Sequence, residues 1–383
     1  MDYLIYGCAI IPVIAIIFLS WMFPKRTTIP ERVFVVLVPL IAIIVGKIVS
    51  TATMTCDTEY WNSYGIRVEH EEPWETYVDQ TCYREVCTGS GDNETCVTES
   101  YDCSYCSYHP EIWTLYNNIG QSYSISRNHY QSIVKKWENE SFKDMQRSIH
   151  HSGFCGKDGD AYFSLYKGEF EKTVPICVQR RYENKVQCSK SVFNYNDVDS
   201  ETVNLYGLYR YPNYENMGIF GYNPLIGLNN QVVSQRLNFY NAHLGSSKQV
   251  HMMIVVFHNQ PVDAAIWQEA HWKNGNKNEF ILCIGEKGGK IDWAKVISWT
   301  EVEDLKVRVA RIAKEKALID SLSGIVDMMA GEVKSHYIRK QFADFSYLKV
   351  EPTIGAVIWI VVITTIVTVG IGIIAIKNDF NRN

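Results

Sequence analysis

Three charge-poor apolar runs enclose everything polar in this 383-residue chain. They cover residues 3–23, 33–54 and 354–376, and the only charge among them is Lys47. A bilayer core takes ~20 apolar residues in a helix, so each run is long enough to span one. The N-terminus, Met1-Asp2-Tyr3, lacks the basic start of a signal peptide, and Trp21-Met22-Phe23 lacks small residues for cleavage. The first run is therefore read as a retained span. Pro12 and Pro39 predict kinks. The loop 24–32 carries Lys25, Arg26 and Arg32, which puts it on the cytoplasmic side. Residues 55–353 then lie outside, and the third span returns the tail 377–383, with Lys377 and Arg382, to the cytoplasm. Lys47 sits near the outer end of its span, where its stem reaches the headgroups.

The net charge of −5 hides a more acidic centre, with 31 basic and 39 acidic residues between spans two and three. That balance argues against nucleic-acid binding. At 46% apolar residues, long disorder is excluded. The outside portion is large enough for two cores. It also holds ten of the eleven cysteines: Cys56, Cys82, Cys87, Cys96, Cys103, Cys106, Cys155, Cys177, Cys188 and Cys283. An even set in an oxidising compartment predicts a disulfide framework. Cys283 lies in an apolar run and is alternatively a free buried thiol, whereas Cys8 packs within the first span. Cys103-Ser104-Tyr105-Cys106 is read as structural, with redox and zinc sites as the alternatives.

The expected fold is an α+β membrane protein with three transmembrane helices and two outside subdomains. Residues 55–222 hold 19 of the 24 tyrosines and many alternating runs, such as 161–166 and 185–193, which predict a β-rich, disulfide-stapled half. Gly89-Ser90-Gly91-Asp92-Asn93 predicts a hairpin tip, and 126–138 a helix with Ile133, Val134 and Trp137 on one face. Asn93-Glu94-Thr95 and Asn139-Glu140-Ser141 match glycosylation triplets. Residues 223–350 predict a compact α/β unit. A helix over 224–244 is closed by Gly245, followed by a buried strand at 249–257 and a helix from Pro261 to Trp272. Strands at 279–285 and 291–299 come next, then a helix capped by Thr300 with Glu303 as its capping-box partner, and two more helices to 345.

That order, with Trp272, Gly275, Lys277, Asn278 and the strands at 248–257 and 280–284, resembles the TPM domain family. The family's glycine after the Asn is Glu279 here, and Glu286 and Asp292 are approximate counterparts of its acidic signature. The resemblance implies an α/β fold anchored by a following span, with hydrolase or metal-binding activity, calcium or magnesium included, in some members. The whole chain also resembles uncharacterised membrane proteins of tailed bacteriophages. The segments that carry this are Thr55-Cys56-Asp57-Thr58-Glu59-Tyr60, Glu72-Pro73-Trp74, Tyr108-His109-Pro110-Glu111-Ile112-Trp113, the stretch 299–306 and the stretch 342–352. It implies a host envelope location, with residues 55–353 on the periplasmic side of the inner membrane.

No Walker loop, HExxH or GxSxG is present. His150-His151 cannot share a helix face. Asp158-Gly159-Asp160 reads as a turn, not a calcium loop. Glu301, Glu303 and Asp304 suit the start of a helix without a metal. His251 and His258, seven apart on a strand, point to opposite faces. The expectation is a non-enzymatic envelope protein without cofactor, in contact with the lipid bilayer, that binds or modulates another envelope protein. The alternative is a TPM-like hydrolase or metal-binding domain.

Overall fold

The computed structural model describes residues 2–23, 28–89, 95–138, 142–146, 155–186, 188, 197–214, 217–219, 222–316 and 318–378. The first apolar run forms two helices, α1 (Asp2–Gly7) and α2 (Ile10–Met22). The break falls one turn before Pro12, whose missing N–H leaves the Cys8 carbonyl without its helical donor. That carbonyl takes the Ile11 N–H instead, at 3.1 Å. α3 (Ile29–Thr55) starts before the apolar run does, because Thr28 and Glu31 form a capping box around Pro30. With the helix Ile354–Asn378 near the C-terminus, the described residues hold three stretches long and apolar enough to cross a membrane. They share a small core of Ile5, Cys8, Ile43, Val357 and Ile360. Lys47 donates to the Tyr6 hydroxyl at 2.9 Å and lies over its ring.

β1 (Cys56–Glu71) follows α3 with no loop. The next four strands, β2 (Trp74–Val78), β3 (Thr81–Thr88), β4 (Thr95–Asp102) and β5 (Tyr105–His109), leave the main sheet as a separate ribbon. The chain then returns through β6 (Ile112–Asn117), β7 (Ser122–Ser124), α4 (Arg127–Trp137), β8 (Phe142–Gln146), β9 (Asp160–Leu165) and β10 (Pro175–Glu183). After α5 (Ser200–Tyr206), β11 (Met217–Ile219) completes a seven-stranded antiparallel sheet in the order β11-β10-β1-β6-β7, with β9 also on β1 and β8 on β9. A bulge at Gly65 divides β1 between two sets of partners: residues before it pair with β10, residues after it with β6 and β9. α4 buries Tyr130, Ile133 and Trp137 against Val68, Leu115 and Ile176. Ser126 caps its first turn. The alternating run at 185–193 forms no strand among its described residues; 185, 186 and 188 lie in turns.

The second core surrounds a four-stranded sheet, β12 (Leu225–Ile226), β13 (His251–His258), β14 (Glu279–Lys287) and β15 (Lys290–Ser298). The first three are parallel, and β15 is antiparallel. α6 (Gln231–Lys248), α7 (Asp263–His271), α8 (Glu303–Lys316) and α9 (Leu322–His336) cover it, and the last span is α10 (Ile354–Asn378). Both faces of β13 and β14 are buried, one under α6, α8 and α9, the other under α7 and residues 198–211. That is why these strands read as unbroken apolar runs.

Three local expectations fail for identifiable reasons. The helix expected from 224 begins at Gln231, because Leu225 and Ile226 add a strand to β13 and Asn230 caps the helix with its side chain. Gly245 is not a stop signal: α6 runs through it, and Gln249 takes the left-handed cap position. Gly245 is instead the point where α6 crosses β1, and a Cβ there would sit 2.3 Å from the Asn62 carbonyl oxygen. The Thr300 capping box is absent, since the helix starts at Glu303 itself, whose carboxylate pairs with Lys306. One of the two helices expected after α8 is α9; the other is a single 3₁₀ turn, Phe342–Phe345.

Candidate functional site

Among the described residues between α3 and α10, the ribbon β2–β5 is the most exposed part. Its strands pair continuously, β2 with β5 and β3 with β4, with a joint at residues 79–80 and 103–104. At the joint Cys103 N donates to the Gln80 carbonyl, and Gln80 N donates to Ser104 Oγ, both at 3.0 Å. A two-stranded ribbon is marginal in water by itself. Three disulfides hold this one: Cys82–Cys103 at the joint, Cys87–Cys96 toward the tip, and Cys106–Cys155 at the root. Beyond the joint β3 reaches about 25 Å at strand rise.

The root is packed rigidly. Trp74 stacks on His109 with ring centroids 3.9 Å apart, and Lys157 lies over the Tyr108 ring. Asp158-Gly159-Asp160 is not a turn: the segment leads directly into β9 at Asp160. It runs beside the root, with Glu72 N donating to the Asp160 carbonyl at 2.9 Å. A Cβ at Gly159 would lie 2.6 Å from the Glu72 carbonyl oxygen, which explains the glycine.

Every residue of β4 is exposed, and no side chain of the described residues between 79 and 104 enters a buried cluster. Tyr83, Val97, Tyr101, Tyr105 and Tyr108 stand in solvent. The register places Tyr101, Arg84, Glu99, Val86 and Val97 on one face and Tyr83, Glu85 and Thr98 on the other. Residues 74–109 contain seven acidic side chains and one basic, Arg84. The arm's net charge of −6 is therefore most of the net −8 of residues 55–353.

The second feature is a buried polar seam between the two cores. Arg339 Nη2 donates to both oxygens of Glu59 at 2.7 Å, with both side chains almost fully buried. Trp61 Nε1 donates to the same carboxylate at 2.6 Å, and its ring lies between the Arg180 and Arg339 guanidiniums. Asn62 Nδ2 approaches His251 Nδ1 at 2.8 Å, and Asn278 Nδ2 donates to the Tyr60 carbonyl at 2.7 Å. Burial among Tyr60, Tyr214 and Tyr222 pushes the His251 pKa down to about 3. Glu279, fully buried at the start of β14, accepts from the Tyr211 hydroxyl and from Asn276 N. Burial outweighs these bonds and pushes its carboxyl up to about 7. Tyr182 bridges Asn276 at 2.7 Å and Asp57 at 3.1 Å, which ties the seam to the start of β1, next to the C-terminal end of α3.

Six of the ten cysteines of residues 55–353 pair, and four do not. Cys103 and Cys106 enter different bridges, so they form neither a redox pair nor a zinc corner. Cys177 and Cys283 are free thiols deep in the strands β10 and β14, where burial holds both pKa values far up, Cys283 to about 12. Cys188 donates to the Met54 carbonyl at 2.7 Å, and Cys56 is exposed at the start of β1. Glu301, Glu303 and Asp304 pair with Lys340, Lys306 and Arg308. His258 lies at the far end of β13 from His251, between Glu286 and the Gly227 carbonyl. Among the described residues no three His, Cys, Asp or Glu side chains gather as metal ligands. His150-His151, Asn139-Glu140-Ser141, Asn93-Glu94 of the other glycosylation triplet and the tip beyond Gly89 lie outside the described residues.

Sequence reasoning missed the seam. A glutamate opening an apolar run was visible at 279, but its partners are scattered from 57 to 276. No protein-family model matches the chain, and no curated protein or solved structure matches it.

Proposed function

We propose that this protein is a membrane-anchored binding protein, without chemistry of its own, that presents the acidic β2–β5 arm to another protein of the same envelope. The observation that carries this reading is the arm itself. It is held in solvent by three disulfides while giving nothing to either core, so folding provides no reason for it. Rigid exposed tyrosines are effective contact residues, and a field of one sign selects and steers a partner of the other. The arm therefore suits a cationic protein surface. Disulfides persist in oxidising compartments, which supports placing residues 55–353 outside the cytoplasm. With the phage resemblance, the proposed setting is the periplasmic side of a bacterial host's inner membrane.

The test is a photo-crosslinking side chain placed at Tyr83 or Tyr101 of the full chain in cells, with Ile266 on α7 as an exposed control. The expected result is an adduct of discrete mass from the arm positions only, weakened by E85Q/E99Q. Equal, diffuse labelling from all three positions would overturn the proposal.

A further inference from the structure

A cavity of about 580 Å³ opens at the membrane-proximal base of the second core. Two connections fix its place. Phe345 on its wall packs with Trp299, Leu348 and Val186, and Cys188, two residues past Val186, donates to the Met54 carbonyl near the end of α3. Leu348 itself precedes the first residue of α10, Ile354, by six residues. Such a segment spans at most about 20 Å. The cavity therefore borders the layer in which lipid headgroups lie.

Its lining alternates in sign. Lys295 pairs with Glu269, Lys306 with Glu303 at 2.8 Å, and Lys340 with Glu301 and with Asp344 at 3.6 Å. Lys306 and Lys340 bury their stems, at 18% and 17% side-chain exposure, whereas Glu303 and Glu301 stand open at 73% and 77%. A purely anionic ligand would meet four carboxylates, and a purely cationic one three lysines. A ligand that carries both charges can insert into these pairs and leave every member with an opposite partner. Ion pairs with one partner open to solvent contribute little, so exchanging them costs little. Trp299, Phe345 and Tyr347 add an aromatic edge, the side-chain type that sits at membrane interfaces.

We propose that this cleft binds a phosphoethanolamine group, with the phosphate on Lys306 and Lys340 and the primary ammonium on Glu301 and Glu303, and that a membrane phospholipid supplies it. Phosphatidylethanolamine offers both charges and a hydrogen-bonding ammonium. Phosphatidylcholine keeps the charges but has no N–H to donate, and phosphatidylglycerol lacks the cation.

The full chain is to be reconstituted in nanodiscs of mixed composition, and the lipid retained on release followed by native mass spectrometry. Phosphatidylethanolamine is expected to be held about tenfold over both other lipids. K306Q/K340Q and E301Q/E303Q should each abolish that preference while leaving the melting temperature of the outside portion within a few degrees. Equal retention of the three lipids by the unsubstituted chain overturns the proposal, and so does a preference that survives both double substitutions. A melting temperature raised by soluble phosphoethanolamine in detergent, with no lipid retained, would keep the headgroup chemistry and overturn the lipid as its source.

Discussion

Glu279 and His251 are both fully buried and both neutral at the acid side of neutrality, but they act on stability in opposite senses. Glu279 titrates near 7 when folded and near 4.5 when unfolded, so between these values the folded state holds the extra proton. Its contribution is fully present below about 4.5 and is lost as pH rises through about 7, roughly 3 kcal/mol in all. His251 titrates near 3 when folded and near 6.5 when unfolded, so there the unfolded state holds the extra proton. Its contribution is present above about 6.5 and is lost as pH falls toward 3. Over pH 4.5–6.5 the two slopes cancel. The E279Q chain should therefore lose stability on acidification through this window relative to the parent, and H251Q should lose it on alkalinisation. Denaturant melts of the three proteins between pH 5 and 7.5 check this. Parallel pH profiles would show that neither group is buried as described.

The arm makes the same separation at the scale of elements. Because the described residues between 79 and 104 bury nothing in either core, their ordering depends on the ribbon's own strand pairing and on the disulfides. Replacing Cys82, Cys103, Cys87 and Cys96 with Ser removes two bridges, each worth about 2–4 kcal/mol to the ribbon. Amide protection over 81–102 should collapse to exchange in seconds, while the melting temperature of the rest stays within a few degrees. C106S/C155S should instead loosen the root, since Cys155 is buried and Gly156 N donates to Glu75. A cooperative fall of the whole domain on removing the outer two bridges would refute the arm's independence.

Much of this element inventory was legible because it rests on local rules. Continuous apolar runs gave β13 and β14, the serine before 127 gave the start of α4, and the dense cysteines marked a loop-rich stretch needing staples. What was illegible is non-local. Gly245 looks like a helix stop until Asn62 is known to press against it. The CxxC spacing of Cys103 and Cys106 conceals two different bridges, because one partner lies across the ribbon at Cys82 and the other lies outside the ribbon at Cys155. The seam draws Glu59, Tyr211, Glu279 and Arg339 together from opposite ends of the outside portion, and no spacing rule spans such separations. The cleft was half visible: Glu301 and Glu303 stood out, but Lys340 did not.

For the whole molecule, the decisive contact is the one between Glu59 and Arg339. Glu59 lies four residues beyond α3, and Arg339 lies fifteen residues before α10. Their ion pair holds the two chain ends of the segment between α3 and α10 together, independently of the packing of the apolar helices. That segment should therefore fold without those helices. Residues 56–352, produced through an oxidising compartment, are expected to melt cooperatively within a few degrees of the full chain in detergent. In that segment E59Q removes the charge but not the shape, and leaves the Arg339 guanidinium buried without its carboxylate. Breaking one partner of a buried pair costs about 3–5 kcal/mol, so the E59Q segment should melt far lower than its parent. A segment that is molten without the spans, or a melt indifferent to E59Q, would mean that the bilayer helices hold the two ends together. In that case the arm and the headgroup cleft would stand on a platform set by the membrane rather than by the domain's own clasp.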